Sequence, residues 1–164
     1  MSNLIVDTLI EIPQGSQNKY EFDKEKGRFV LDRVLYGSMR YPAEYGYLEG
    51  TLALDGDPLD VLVLVTNPTF PGCVINTRII GVMLMVDNGE EDEKLIGVPT
   101  TDPRWSHVKS LDDVAPHTLK EIENFFLRYK DLENKKVEVT GFKDAAFAEQ
   151  LYNECRKRYE EAQK

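Results

Sequence analysis

The segment YLEGTLALDGDPLDVLVLVT, residues 47–66, decides the fold class of this chain. Residues 47–54 and 61–66 are rich in apolar and β-branched side chains, which is typical of strands, and the Asp-Gly and Pro between them favour a turn. Because Asp60 leads directly into the second stretch, there is no room for the helix that joins parallel neighbours in an α/β sheet. The segment therefore predicts a mainly β fold.

Further strands flank this segment on both sides. Apolar or alternating stretches predict strands at residues 4–12, 19–23, 28–32, 74–86 and 94–98. Turn formers such as Pro13-Gln14-Gly15 and Asn88-Gly89 separate them, and this spacing is typical of a small barrel or sandwich.

Two helices and one more strand are predicted in the last third of the chain. Pro116 is well tolerated in a first helical turn, and apolar residues follow it at helical spacing as far as Tyr129. A strand is predicted at residues 137–142, and the terminal helix carries an apolar residue every fourth position, including Cys155. We expect that helix to pack on the β structure, and residues 1–164 to form one domain, because no linker-like stretch divides them.

The charge balance excludes several classes of partner. Lys and Arg number 20 against 29 Asp and Glu, so the net charge is −9, which repels nucleic acid and anionic lipid. The longest apolar run, residues 79–86, is much shorter than the roughly twenty residues of a membrane-spanning helix, so no membrane association is expected. The acidic N-terminus does not resemble a secretory leader, and Cys73 and Cys155 lack CxxC spacing, so we expect free thiols and a cytoplasmic location.

The segment Asp55-Gly56-Asp57-Pro58-Leu59-Asp60 carries the sharpest chemical signal. Its three carboxylates repel one another unless cations or hydrogen-bond donors satisfy them. A solvated hairpin tip needs one Asp-Gly but not two further aspartates, so we favour a divalent-metal site over a hairpin tip. The site is not an EF-hand, because Leu59 and Asp60 stand where that loop has an oxygen ligand and a glycine.

Two other charged groups are weak signals by themselves. The acidic run at residues 87–93 contains the hairpin signal Asn88-Gly89, and this favours a solvated tip unless Asp87 and Asp92 face the first aspartate cluster. In the predicted strand 19–23, Lys19 and Glu21 share one face, which plain amphipathic alternation explains equally well.

The remaining polar side chains narrow the chemistry. Arg33 suits a bidentate phosphate contact, although a lone arginine is more typical of a surface. The tyrosines at 41, 45 and 47 are typical of a core, but their hydroxyls are also able to donate to phosphoryl oxygens without adding charge. His107 and His117 match no metal-ligand spacing, and no Gly-rich phosphate loop or nucleophile motif is present. Carboxylates, Lys, Arg and Tyr suit metal-assisted attack of water on a phosphoryl group.

In combination these motifs resemble the soluble inorganic pyrophosphatases of family I, in their short bacterial form. The resemblance rests on Glu11-Ile12-Pro13, Lys19-Tyr20-Glu21, Asp32-Arg33, Tyr41-Pro42, Tyr45-Gly46-Tyr47, Asp55 to Val61, Asp87 with Asp92 and Lys94, and Tyr129 to Glu133. It implies an α+β, mainly β fold with a closed five-stranded OB-like barrel and two flanking C-terminal helices. It also implies hydrolysis of diphosphate to two phosphates by in-line attack of a water shared between metal ions. Several Mg²⁺ ions per site are implied, with Mn²⁺ or other divalent ions able to substitute, as is a homohexamer.

The same resemblance implies a role for each matching residue. Asp57 corresponds to the acceptor of the proton from the attacking water. The other matching positions are metal ligands at Asp55, Asp60, Asp92, Asp87 and Glu21, substrate-binding residues at Lys19, Arg33, Tyr45, Lys94, Tyr129 and Lys130, and supporting residues at Glu11 and Tyr41. The chain departs from the family pattern at Glu44, where Asn is frequent, and a carboxylate there is expected to alter metal affinity.

Two other hypotheses fit parts of the sequence. Residues 52–57 imitate the strand that ends in the Asp-x-Asp of phosphatases with an aspartyl nucleophile, but those enzymes use a parallel α/β sheet. A non-catalytic ion binder or OB-like binding module would explain the acidic loops, but an ion binder has no use for Lys19, Arg33, Lys94 and Lys130. An oligonucleotide-binding barrel would need a basic face.

Overall fold

The computed structural model describes residues 3–164. In chain order its elements are β1 (Ile5–Ile12), β2 (Asn18–Asp23), β3 (Arg28–Val34), β4 (Glu44–Leu48), β5 (Leu59–Val63), β6 (Val74–Asp87), β7 (Glu90–Glu91), β8 (Lys94–Pro99), α1 (Pro116–Arg128), β9 (Val137–Asp144) and α2 (Ala145–Ala162). Short 3₁₀ turns lie at Pro103–Trp105, Leu111–Asp113 and Asp131–Glu133.

Five of these strands close into a ring. β1 pairs with β4, β4 with β5, β5 with β8, β8 with β6, and β6 returns to β1. Only the β5–β8 pairing of this ring is parallel; the other four are antiparallel. The closed five-stranded barrel implied by the resemblance is confirmed.

The remaining strands extend or flank this ring. β2 and β3 form a separate two-stranded hairpin, while β7 and β9 pair with the far end of the long strand β6. The β6–β7 turn has positive φ at both Asn88 and Gly89, the conformation that favours an Asn-Gly hairpin turn. The predicted hairpin at residues 88–89 is therefore confirmed.

Each helix covers its own hydrophobic core. The side chains of Ile122, Phe125 and Phe126 on α1 pack with residues of β5, β6 and β8. Ala148 and Cys155 on α2 pack with the residues that β5 presents on its opposite face, including Val61. The two predicted C-terminal helices are confirmed, and Cys155 lies in a core as expected. No helix among residues 3–164 is both long and apolar enough to cross a lipid bilayer.

Gly46 allows β1 and β4 to lie unusually close together. A β carbon at this position would overlap the carbonyl oxygen of Leu9 on β1, which cannot move away because it is backbone. This close approach places Glu11 on β1 near the strand that carries Tyr45.

The predicted strand at residues 47–54 is wrong over most of its length. β4 ends at Leu48, and Gly50 adopts a φ of +75°, which turns the chain out of the sheet. The backbone N–H of Leu52 then donates to the carbonyl of Cys155 on α2, at 3.0 Å, instead of to a neighbouring strand. This segment therefore lies against α2, where Ala53 packs in the same core as Ala148 and Cys155, and it does not extend β4.

Candidate active site

One cleft of about 470 Å³ gathers most of the residues identified from the sequence. Its wall combines side chains of β1, β2, β4, β5, β8 and the end of α1 with the loop that precedes β5. The candidates that it brings together are Glu11, Lys19, Glu21, Tyr45, Asp55, Asp57, Asp60, Asp87, Asp92, Lys94, Tyr129 and Lys130. Arg33 and Tyr41 lie outside this lining.

Lys94 occupies the centre of the cleft. Its Nζ donates to Oδ2 of Asp60 at 2.6 Å, to Oδ1 of Asp92 at 2.9 Å and to the hydroxyl of Tyr45 at 2.6 Å. The parallel register of β5 and β8 pairs Asp60 directly with Lys94, and the side chain of Lys94 is only 3% exposed. One buried ammonium thus holds together two carboxylates from different segments.

The charges around Lys94 reinforce its positive state. Burial alone would lower the pKa of Lys94, but Asp60, Tyr45 and Asp92 together raise it well above its ordinary value. Burial raises the pKa of Tyr45 and Tyr129 far above the ordinary tyrosine value, so both phenols stay protonated and can donate hydrogen bonds.

A second ion pair closes the far side of the cleft. Nζ of Lys130 lies 2.5 Å from Oδ2 of Asp87, at the junction between the end of β6 and the turn after α1. The same ammonium lies 5.4 Å from the ring centroid of Tyr129. Asp87 and Asp92 therefore do face the first aspartate cluster, so they are more than a solvated hairpin tip.

The loop before β5 presents its aspartates through local hydrogen bonds. The N–H of Asp57 donates to Oδ1 of Asp55 at 3.0 Å, and the N–H of Ala53 donates to the carbonyl of Asp57 at 2.8 Å. Gly56 lies between them with a φ of +90°. The Asp57 side chain is left exposed at the mouth of the cleft.

Negative charge accumulates in this part of the cleft. Burial raises the pKa of Asp55, and the neighbouring Asp92 and Asp57 raise it further. Burial also raises the pKa of Asp92, and the opposing effect of Lys94 does not cancel it. A cation bound here would relieve both effects.

The β2–β3 hairpin supplies the outer charges. Nζ of Lys19 lies 3.2 Å from Oδ2 of Asp32, and Arg33 reaches both Asp32, at 2.8 Å, and Glu133, at 3.3 Å. The family resemblance assigns no role to Asp32 or Glu133, although both contact candidate phosphate-binding residues. The sequence does carry a signal for both, because each lies within the same short motif as a residue matched to phosphate binding.

Glu11 lies in the wall of the cleft, and Tyr41 lies behind it. Glu11 accepts a hydrogen bond from the N–H of Phe22 at 3.0 Å, and burial raises its pKa from 4.5 to about 7. Tyr41 is 2% exposed, and its ring centroid lies 5.6 Å from that of Tyr45. Both positions fit supporting roles.

Glu44 does not face the metal-ligand candidates. Neighbouring residues of a strand point to opposite faces, and Glu44 is fully buried on the face opposite Tyr45. Its carboxylate accepts hydrogen bonds from Gln14 and Thr69. These hydrogen bonds do not connect Glu44 with the metal-ligand candidates, so they give no support to a direct effect of Glu44 on metal affinity. His107 and His117 are both exposed and lie outside the cleft.

Comparison with known proteins gives one consistent result. The profile of a family described as "Inorganic pyrophosphatase" matches residues 8–160. The inorganic pyrophosphatase of Geobacillus stearothermophilus is 64% identical over 159 residues, which cover 97% of this chain and 96% of that protein. This chain belongs to the inorganic pyrophosphatase family.

Solved structures of family members share the fold. The crystal structure of the inorganic pyrophosphatase from Thermus thermophilus matches with a TM-score of 0.93 and 45% identity, over 95% of this chain and 91% of that one. The inorganic pyrophosphatase of Helicobacter pylori gives a TM-score of 0.92 and 43% identity, over 98% of both chains. The assignment to family I, in its short bacterial form, is confirmed.

Family membership and the fold also decide between the earlier hypotheses. Residues 52–54 do not form a strand, and β4 and β5 are antiparallel, so the Asp-x-Asp does not end a strand of a parallel sheet. The hypothesis of an aspartyl nucleophile on an α/β sheet is therefore wrong.

Pyrophosphatases of this family depend on divalent metal ions, and the donor chemistry of the cleft fits such ions. Within residues 3–164 no three Asp, Glu, His or Cys side chains converge closely enough to form a metal-binding group. The ammonium of Lys94 lies instead between Asp60 and Asp92, where it serves as a stand-in cation. The surrounding carboxylates are the hard oxygen ligands that Mg²⁺ and Mn²⁺ prefer, so the residues fit the ions.

Proposed function

We propose that this chain hydrolyses inorganic diphosphate to two orthophosphates by direct in-line attack of water, without a covalent intermediate. The observation that carries this proposal is the cleft in which Lys94 holds Asp60 and Asp92 together beside Asp55, Asp57 and Lys130. Carboxylates alone would repel diphosphate, and lysines alone could not activate water, so the combination favours phosphoryl transfer to water.

Mg²⁺ is the proposed ion, with Mn²⁺ or other divalent ions as substitutes. Asp55, Asp60 and Asp92 would hold the ions that bind without substrate, and Asp87 and Glu21 those that arrive with it. When bound, the ions supply positive charge and lower the pKa of water towards neutrality.

The proton of the attacking water is assigned to Asp57. Its side chain is exposed in the cleft, and among the described residues no side chain forms an ion pair with it. An unpaired carboxylate is free to accept a proton, whereas Asp60, Asp87 and Asp92 are engaged by lysines.

Cationic and phenolic donors would orient the diphosphate. Lys19, Arg33, Lys94 and Lys130 would bind the oxygens of diphosphate through charge-assisted hydrogen bonds. Tyr45 and Tyr129 remain protonated and would donate hydrogen bonds without adding charge. Glu11, in the wall of the cleft, and Tyr41, behind it, would support this set.

A phosphate-release assay tests the reaction. The purified protein with diphosphate should release phosphate with Mg²⁺ and lose that activity with EDTA. Asp57→Asn should lower turnover by about 10²- to 10⁴-fold, the usual effect of losing a general base. Asp112→Asn is the matched control, because Asp112 is exposed and lies outside the cleft. A rate of phosphate release that is the same with and without Mg²⁺ would contradict the proposal, as would full turnover by Asp57→Asn.

A single domain over residues 1–164, a homohexamer and a cytoplasmic location belong to the same proposal. Exposed large apolar side chains, such as those of Tyr36, Phe70 and Val74, support burial of surface between subunits. The molar mass measured by light scattering during size-exclusion chromatography tests the homohexamer. The mass of a monomer would contradict it.

A further inference from the structure

Glu44 is a buried carboxylate that the proposed reaction does not use. It is 0% exposed, and within residues 3–164 no Lys, Arg or His forms an ion pair with it. A buried carboxyl group without a counter-ion must be satisfied by hydrogen-bond partners. The identity of those donors indicates what Glu44 does.

The donors come from two separate loops. The backbone N–H of Gln14, in the β1–β2 connection, donates to Oε2. The backbone N–H of Thr69, in the β5–β6 connection, donates to Oε1 at 2.9 Å, and the Thr69 hydroxyl donates to the same oxygen. One side chain of β4 thus joins two loops that are far apart in sequence.

The first loop leads directly into the β2–β3 hairpin. The N–H of Gly15 donates to the carbonyl of Tyr41 at 2.8 Å, and the N–H of Tyr41 donates to the carbonyl of Ser16 at 3.0 Å. With the bond to Glu44, these contacts fix residues 14–16 to the segment before β4. Lys19, near the start of β2, follows these anchored residues closely in sequence and lines the cleft.

The second loop supports the same hairpin from below. Gly72 lies beneath the Phe29 ring, so close that a β carbon at Gly72 would be 3.3 Å from the ring. Phe29 in turn packs on Phe22, its partner across the hairpin, with ring centroids 5.1 Å apart. Glu44 therefore holds both supports of the hairpin that carries Lys19, Glu21 and Arg33.

We propose that Glu44 is a positioning residue, which sets the β2–β3 hairpin at the distance from the barrel that substrate binding requires. This inference rests on the proposed function for its kinetic consequence. Loss of the carboxylate should weaken diphosphate binding, because the hairpin carries binding residues. It should leave the chemical step largely intact, because Asp57, Asp60 and Lys94 belong to the barrel and its loops.

Steady-state kinetics at 25 °C tests this division. Glu44→Gln leaves one of the two loops facing an amide N–H₂, which cannot accept a hydrogen bond. We expect its KM for diphosphate to rise about tenfold while kcat changes less than about threefold. Thr69→Val should also raise KM, whereas Thr69→Ser, which keeps the hydroxyl, should have the KM of the unmodified protein. Glu49→Gln is the matched control on an exposed residue.

Hydrogen exchange provides a readout that does not depend on turnover. Amides of residues 18–34 should exchange faster in Glu44→Gln than in the unmodified protein, while those of β5 and β8 keep their rates. If Glu44→Gln does not fold, Thr69→Val and Phe29→Leu should show the same pattern, because they weaken the second support at its contact with Glu44 and at its contact with the hairpin, respectively. If the unmodified protein does not hydrolyse diphosphate but Glu44→Gln still shows faster exchange in the hairpin, the proposed function is wrong and the positioning role of Glu44 is supported. A lower melting temperature with unchanged KM and unchanged hairpin exchange would reduce Glu44 to a structural residue and overturn the inference.

Discussion

At the residue scale, Lys94 holds two carboxylates that would otherwise repel each other. Its ammonium is almost fully buried, whereas Asp60 and Asp92 keep 20% and 16% of their side chains accessible. Lys94→Met should destabilise the metal-free protein by about 3 kcal/mol, the lower end for a broken buried pair, because water can still reach both aspartates. Urea unfolding in EDTA measures this loss.

A matched substitution separates this effect from the loss of any lysine. Lys120 is exposed on α1, so Lys120→Met should change the free energy of unfolding by no more than about 0.5 kcal/mol. Equal effects of the two substitutions would contradict a central role of Lys94 in holding the carboxylates.

Glu11 gives a pH-dependent prediction. Its pKa is raised from 4.5 to about 7, first by burial and then by Asp60, against the opposing hydrogen bond from Phe22. The native state therefore binds this proton more tightly than the unfolded chain. Ionisation of Glu11 therefore lowers the free energy of unfolding. This loss of stability is absent below pH 4.5, grows as the pH rises, and is complete above about pH 7.

Glu11→Gln removes this loss of stability while keeping an oxygen that can accept from Phe22. Between pH 5 and pH 8 the metal-free variant should lose about 2.5 kcal/mol less stability than the unmodified protein. Chemical denaturation across that range is the measurement, with Glu49→Gln as an exposed control. Parallel stability curves for Glu11→Gln and the unmodified protein would show that Glu11 titrates normally.

Sequence patterns predicted the residues of the cleft better than their contacts. The Asp-Gly-Asp-Pro-x-Asp segment and the acidic run after Asp87 both carry local signals. Nothing local shows that Asp60 pairs with Lys94, because that contact depends on the parallel register of β5 and β8. The same limit applies to Glu44, whose donors come from Gln14 and Thr69.

At the scale of elements, α2 does more than cover the barrel. Arg156 donates to the carbonyl of Gly50 at 2.9 Å, and Arg158 donates to the carbonyl of Leu52 at 2.7 Å. These bonds, with that from Leu52 to the carbonyl of Cys155, explain why the predicted strand at 47–54 stops early. A window of sequence around residue 50 cannot contain this information, because its partners lie more than a hundred residues away.

This contact predicts a stabilising role for Arg158. Arg158→Gln shortens the side chain and removes the charged donor to the carbonyl of Leu52, so the free energy of unfolding should fall by about 1.5 kcal/mol. Lys157→Gln, on the neighbouring exposed residue, is the control and should have little effect. If both variants unfold at the same urea concentration as the unmodified protein, the helix does not hold this loop.

At the scale of the whole molecule, a net charge of −9 opposes the binding of an anionic substrate. Lysines in the cleft offset this negative charge locally. The cleft also contains aspartates whose pKa values are raised by burial and by neighbouring aspartates. Folding therefore brings together carboxylates that the unfolded chain keeps apart. Divalent cations should bind the native state far more tightly than the unfolded chain and should stabilise it.

The size and selectivity of that stabilisation can be predicted. Mg²⁺ at a hundredfold excess over its dissociation constant should add about 2.7 kcal/mol to the free energy of unfolding, which differential scanning calorimetry detects as a higher melting temperature. Na⁺ at the same ionic strength should not reproduce the shift, because it screens charge without occupying the site. Asp60→Asn should reduce the shift most, since Asp60 lies beside both Lys94 and Tyr45 at the centre of the cleft, whereas Asp112→Asn should preserve it. A melting temperature that Mg²⁺ leaves unchanged, or that Na⁺ raises equally, would mean that the aspartates of the cleft form a solvated acidic surface and hold no ion.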